Sequence, residues 1–207
     1  MPKRMLIVAA GLICALCSSV AYAKTVNGTS GSDTLVGSKL ADRIDGKAGL
    51  DTVFGLSGDD RIEGGSGEDA IQGDATCPAG TTTDLSRCDQ LSGRGDDTIQ
   101  GNSGEDVVAG GAGNDTISGG THVDNLTGGS GRDRISGDSG DDTIFASSGN
   151  DRISGGSGID RIMGQSGKDT ILARDRRRDI VECGSGRDTV IADRVDKTTK
   201  CETVRRR

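Results

Sequence analysis

The sequence has 207 residues, a formal net charge of −7, 35 glycines, no tryptophan and only three aromatic side chains, Tyr22, Phe54 and Phe145. A core of this size normally draws on large aromatics, so an ordinary globular interior is excluded, leaving a disordered chain or a repeat array with a thin core. The acidic balance argues against a general nucleic-acid binder, which needs basic surface to displace phosphate counterions.

Residues 1–23 read as a secretory signal peptide. Lys3 and Arg4 form a basic start, Leu6 to Leu16 is a short apolar run, and Ala21-Tyr22-Ala23 has the small-x-small pattern that a signal peptidase cleaves after. The run falls short of the roughly 20 apolar residues that span a bilayer, so no stable membrane insertion is expected. The mature chain then starts at Lys24, carries a charge of −9 without Lys3 and Arg4, and keeps Cys77, Cys88, Cys183 and Cys201. An even cysteine count in an exported chain favours disulfides.

Two blocks follow, 24–73 and 89–192. In the first, aspartates recur every nine residues at Asp33, Asp42, Asp51, Asp60 and Asp69. In the second they stand at Asp97, Asp106, Asp115, Asp124, Asp133, Asp142, Asp151, Asp160 and Asp169, then slip by one residue to Asp179 and Asp188. An aliphatic residue lies two positions after each, as Ile62 after Asp60 and Ile117 after Asp115, and glycine usually lies two before and four after. Disorder has no reason to keep such a phase. A fixed period with one aliphatic per unit reads as a turn plus a short strand. Thr116-Ile117-Ser118 and Arg152-Ile153-Ser154 are three-residue strands whose central side chain points in while its neighbours point out. The Gly-x-Gly-x-Asp stretch reverses the chain, using the positive φ that glycine permits. Two units per coil, stacked coil on coil, bury a ladder of Ile, Val and Leu.

Gly110 to Ser118 (GGAGNDTIS), Gly64 to Gln72 and Gly128 to Ser136 closely resemble the haemolysin-type (RTX) calcium-binding nonapeptide, Gly-Gly-x-Gly-x-Asp-x-aliphatic-x. The resemblance extends over nearly the whole mature chain. It implies an all-β fold, a right-handed parallel β-roll with two repeats per coil, and several Ca²⁺ ions between adjacent turns. Calcium takes six to eight oxygen ligands. In a two-repeat coil, residues 18 apart stack, so Asp115, Asp133 and Asp151 share one edge while Asp106, Asp124, Asp142 and Asp160 line the other. Coils about 4.7–4.9 Å apart bring two carboxylates and the turn carbonyls to one ion. The expected metal ligands are Asp33, Asp51, Asp60, Asp69, Asp97, Asp106, Asp115, Asp133, Asp142, Asp151, Asp160 and Asp169. The turns of Asp42, Asp124 and Asp179 lack the preceding glycine, having Leu40, His122 and Arg177 there, and are expected to be strained or incompletely coordinated. A calcium-free β-helix that uses Asp and Gly only as turn residues is the alternative.

Residues 74–88 interrupt the phase and read as a surface loop closed by a Cys77–Cys88 disulfide, or as a recognition loop; Asp89-Gln90-Leu91 resembles a restarted repeat. Cys183 and Cys201 are 18 residues, one coil, apart, a spacing that fits a disulfide, whereas zinc would call for Cys-x-x-Cys pairs. Residues 193–207 read as a C-terminal cap and basic tail ending in Arg205-Arg206-Arg207. No catalytic site assembles: His122 is the only histidine, and the repeat accounts for the carboxylates. The function classes left are a secreted calcium-binding protein that folds on Ca²⁺ uptake, and an adhesin or matrix component whose roll meets a cell-surface polysaccharide. Ice binding does not fit, because the residue before each Asp varies too widely for a regular array.

Overall fold

A computed structural model describes residues 23–74 and 94–206. The leader (residues 1–22), the Cys77–Cys88 pair and the Asp89-Gln90-Leu91 restart lie outside these residues. Strands numbered in chain order form two parallel sheets. One is built from β1 (Thr25–Asn27), β3 (Arg43–Ala48), β5 (Arg61–Ser66), β7 (Thr98–Ser103), β9 (Thr116–Thr121), β11 (Arg134–Ser139), β13 (Arg152–Ser154), β15 (Thr170–Ala173), β17 (Thr189–Ala192) and β19 (Thr203–Arg206). The other is built from β2 (Thr34–Ser38), β4 (Thr52–Leu56), β6 (Ala70–Asp74), β8 (Val107–Ala112), β10 (Asn125–Ser130), β12 (Thr143–Gly149), β14 (Arg161–Gly167), β16 (Ile180–Gly186) and β18 (Lys197–Thr199). Each coil contributes one strand to each sheet, so the chain is the expected all-β roll with two repeats per coil. No helix among the described residues is long and apolar enough to cross a membrane.

The register follows from the aliphatic residue two after each aspartate. Ile99 pairs with Ile117, Ile117 with Ile135 and Ile135 with Ile153 in the first sheet; Val108 pairs with Leu126 and Leu126 with Ile144 in the second. A one-residue slip would turn every one of these side chains to water. All of them are at most 2% exposed, and full burial of an aliphatic side chain contributes about 1.5–3 kcal/mol. The interruption leaves this register untouched: β5 pairs β7 through Ile62 and Ile99, and β6 pairs β8 through Ile71 and Val108.

The strands run longer than the three residues expected. β9 continues through Gly119 and Gly120 to Thr121, although β13 does stop after three. The ladder runs past the inward position four after the aspartate whether that residue is glycine, as Gly119 in β9, or carries a small side chain, as Ala146 in β12 and Cys183 in β16, the last two being strands of seven residues. Gly131 (φ +138°) marks the turn itself, where an added Cβ would stand 1.7 Å from Gly113 O. The extra residue between Asp169 and Asp179 is absorbed in the arginine-rich bend before β16, where Arg176 takes φ 74°.

Residues 193–206 complete a last coil, with β18 on β16 and β19 on β17. Cys183, fully buried, is joined to Cys201 by a disulfide with a Cα–Cα distance of 5.1 Å. Arg206 donates to Asp193 O (2.8 Å), Asp196 O (3.1 Å) and Thr198 Oγ1 (2.9 Å), closing that end. Because each coil touches only its neighbours, Cys201→Ser should cost about 3 kcal/mol for this loop length, and the cost should be local. Hydrogen exchange should quicken in β18 and β19 and stay unchanged in β9.

Candidate metal centre

The turns place the aspartates in two continuous columns, one on each edge of the roll. On one edge the N–H of Asp97 donates to Asp115 Oδ1, Asp115 to Asp133, Asp133 to Asp151 and Asp151 to Asp169, each at 2.9 Å. On the other edge Asp69 donates to Asp106 (2.8 Å), Asp106 to Asp124 and Asp124 to Asp142 (2.9 Å), and Asp142 to Asp160 (3.0 Å). The stacking expected from an 18-residue coil is therefore present on both edges, and across the interruption as well, where Asp60 donates to Asp97 at 2.8 Å.

One carboxylate oxygen of each aspartate is thus taken up by the backbone of the preceding coil. The other is not. Oδ2 of Asp51, Asp60, Asp69, Asp97, Asp106, Asp115, Asp124, Asp133, Asp142, Asp151, Asp160, Asp169, Asp179 and Asp188 is buried and has no hydrogen-bond partner. Eleven of the fourteen point into the space left by the glycine that opens their own turn, as a Cβ on Gly110 would stand 2.3 Å from Asp115 Oδ2 and 2.7 Å from Gly128 O; before Asp151, Asp179 and Asp188 the buried residue there is Ala146, Ala173 and Cys183. Glycine at this inward position is therefore a cradle. It leaves room for a carboxylate oxygen beside a carbonyl oxygen of the next coil.

No column aspartate has a basic partner among the described residues, whose ion pairs are Arg43–Glu63, Arg61–Glu63 and Lys200–Glu182. A buried charge without a partner is costly, and the carboxyls respond as burial requires. Desolvation raises Asp97 to about 8, against the bond from Asp60 N and with the charges of Asp74, Asp115 and Asp60 adding to the rise. Burial likewise raises Asp60, Asp106, Asp115, Asp142 and Asp179 to about 7. Asp124, Asp151 and Asp169 reach about 6 for the same first cause.

Of the twelve aspartates expected as ligands, eleven present this orphaned oxygen. Asp33 differs: it is half-buried, and its Oδ2 accepts Thr29 N (2.5 Å) and Thr29 Oγ1 (2.9 Å). Asp124, Asp179 and Asp188, outside the expected set, carry the same orphaned Oδ2 as the eleven. The signal for them was the phase itself, since Leu126, Val181 and Val190 stand two residues on, and it outweighs a missing glycine nearby. The strain expected beside Asp124 is present, with His122 at φ 89°, a conformation that L side chains seldom adopt. Beside Asp179 it moves from Arg177 to Arg176, and at Leu40 no positive φ is needed.

Hard oxygen donors, half of them anionic, facing inward with no proton donor and no counter-charge, fit a hard divalent cation and little else. The family model for the RTX calcium-binding nonapeptide repeat (4 copies) matches residues 27–58, 36–71, 91–121, 118–153 and 145–175. No curated protein matches the chain.

The raised carboxyls give the ion-free chain an inverted pH dependence. Below the unfolded value of 3.8 both states are protonated and the stabilisation is complete. As pH rises, the unfolded state releases protons that the native state retains, so stability is lost up to the folded values of about 6 to 8. After calcium is removed by dialysis, the strand signal in circular dichroism should therefore increase from pH 8 to pH 4. A signal that falls on acidification would contradict the buried, unpaired state of these groups.

Proposed function

We propose that this chain, which belongs to the RTX calcium-binding nonapeptide repeat family, is an exported protein whose roll folds as it takes up calcium outside the cell. Calcium binding itself comes with the family: the repeats bind several Ca²⁺ ions. The fourteen column aspartates with an orphaned Oδ2 are the proposed ligands, together with carbonyl oxygens of the glycines that open the turns. Asp33, at the first turn, is a weaker candidate because Thr29 already occupies its oxygen.

The observation that carries this reading is the row of buried carboxylate oxygens without a partner. The residues perform three tasks. The Oδ1 atoms tie each coil to the one before, the glycines keep the inward space open, and the Oδ2 atoms supply negative charge at a fixed 18-residue interval. When bound, calcium supplies the positive charge that lets these carboxylates stay ionised while buried. Binding free energy then becomes folding free energy, as in other sites that exist only in the folded chain.

Export follows from two features. The leader-like residues 1–23 mark the chain for secretion, and the Cys183–Cys201 disulfide belongs to an oxidising compartment. Extracellular calcium modules work at about 10⁻⁴–10⁻³ M, a level met outside the cell. A chain unfolded in a low-calcium cytosol would be competent for translocation and would fold after it.

At pH 7 the purified mature chain should lose most of its strand signal in a chelator and regain it in millimolar calcium. Calorimetric titration should show several ions binding with a large coupled heat. Asp133→Asn, in the interior of one column, should raise the calcium midpoint several-fold, since it removes an anionic donor shared between neighbouring turns. Identical circular dichroism with and without chelator, together with no heat of binding, would sink the proposal.

A further inference from the structure

The column that begins with Asp42 has a member before it. Eighteen residues earlier, at the phase position that aspartate holds elsewhere, stands Lys24. Its backbone nitrogen lies 2.6 Å from Asp42 Oδ1, the same bond that Asp42 N makes to Asp60 Oδ1 at 2.8 Å. Lys24 O accepts Arg43 N at 2.9 Å, and Lys24 Nζ donates to Gly37 O at 3.0 Å. Gly37 is the glycine that opens the Asp42 turn. In interior turns the equivalent carbonyl faces the glycine of the coil before, as Gly128 O faces Gly110. Among the described residues no coil precedes Gly37, and the lysine ammonium takes that place.

Asp42 is only 4% exposed, and its other contacts are Ser38 N to Oδ2 and Ser38 Oγ to Oδ1 (3.1 Å). The carboxylate at the head of the column is therefore held by Ser38 and by the backbone nitrogen of Lys24. That nitrogen is the atom which cleavage after Ala23 would convert from an amide into an α-ammonium. The Ala21-Tyr22-Ala23 pattern puts the cut at this bond. One residue more or less would move the new charge by roughly 3.3–3.6 Å, off the carboxylate.

We propose that processing between Ala23 and Lys24 completes the N-terminal cap of the roll: the new α-ammonium pairs with buried Asp42 while Lys24 Nζ covers Gly37 O. This rests on the export reading above. The Asp42 turn then carries its own cation, supplied by the chain, where interior turns rely on a bound ion. Its effect is to hold β1 on β3 and to stop fraying at the first coil of the processed chain.

The test compares three purified chains in millimolar calcium by hydrogen exchange of the Val26 and Gly28 amides, which face β3. The first begins at Lys24; the second keeps Tyr22-Ala23 ahead of it, so that the nitrogen remains an amide; the third is Lys24→Met with a free α-ammonium. A charge-assisted bond is roughly twice as strong as a neutral one, so β1 should open about three- to ten-fold more often in the second chain. A smaller increase is expected in the third. The difference between the first two should shrink in 1 M salt, which a purely steric effect of the extension would not do. Equal exchange in the first two chains, or an intact mass showing that the exported protein begins at another residue, overturns the cap. Calcium titration of the first chain is read separately: if it binds calcium while the exchange rates are equal, only the cap fails.

Discussion

The roll depends on one contact, a buried carboxylate oxygen turned inward, in eleven of fourteen turns beside a glycine that has no Cβ to exclude it. Asp115 Oδ2 and Gly110 show it most simply. A Cβ at the glycine would occupy the oxygen's position, and without the aspartate the glycine would line an empty cleft. Repeating this pair along both edges produces two lines of like charge, about one strand spacing apart, inside a molecule with little else to neutralise them. Such an arrangement is unfavourable for the polypeptide alone, and a bound cation would relieve it.

What opposes that repulsion within the chain is modest and evenly spread. Each coil contributes two buried aliphatic residues and a set of backbone bonds to its neighbours. Each aspartate also spends one oxygen on the N–H of the coil before, so the ladder of charge is a ladder of hydrogen bonds too. Because these contributions are local, the roll tolerates irregularity. The 19 additional residues that separate Ile62 from Ile99, relative to one coil, change neither the pairing of β5 with β7 nor the aspartate column. A globular core with shared long-range packing would not accept such an insertion so simply.

The ends require different chemistry, since a stacked array always leaves one face of its first and last coils unpaired. At the C-terminal end Asp196 and Glu202 accept Asp179 N (3.1 Å) and Asp188 N (2.8 Å), ending the two columns with carboxylates of other spacing. Arg206 and the disulfide then close that end. At the N-terminal end Lys24 and Lys47 supply ammonium groups to Gly37 O and Gly28 O, at 3.0 and 2.7 Å. Side-chain cations meet turn carbonyls at both ends, and carboxylates meet the bare N–H groups at the C-terminal one.

The sequence by itself determined the period, and with it the architecture. One aspartate and one aliphatic residue in a strict nine-residue phase permit a two-repeat coil, so the stacking of Asp115 on Asp133 and of Ile117 on Ile135 was legible before any coordinate. So was the Cys183–Cys201 disulfide, which needs only a separation of one coil. The tertiary structure decided which oxygen of each carboxylate is free, because that depends on a backbone N–H 18 residues earlier that no local pattern displays. It added Asp124, Asp179 and Asp188 to the orphaned row and set Asp33 apart, because Thr29 N and Oγ1 already occupy Oδ2 of that carboxylate. It also carried the strands through the glycines and gave residues 193–206 a place in the roll. A period states which residues are neighbours, and only the packed chain states which of their atoms remain without a partner.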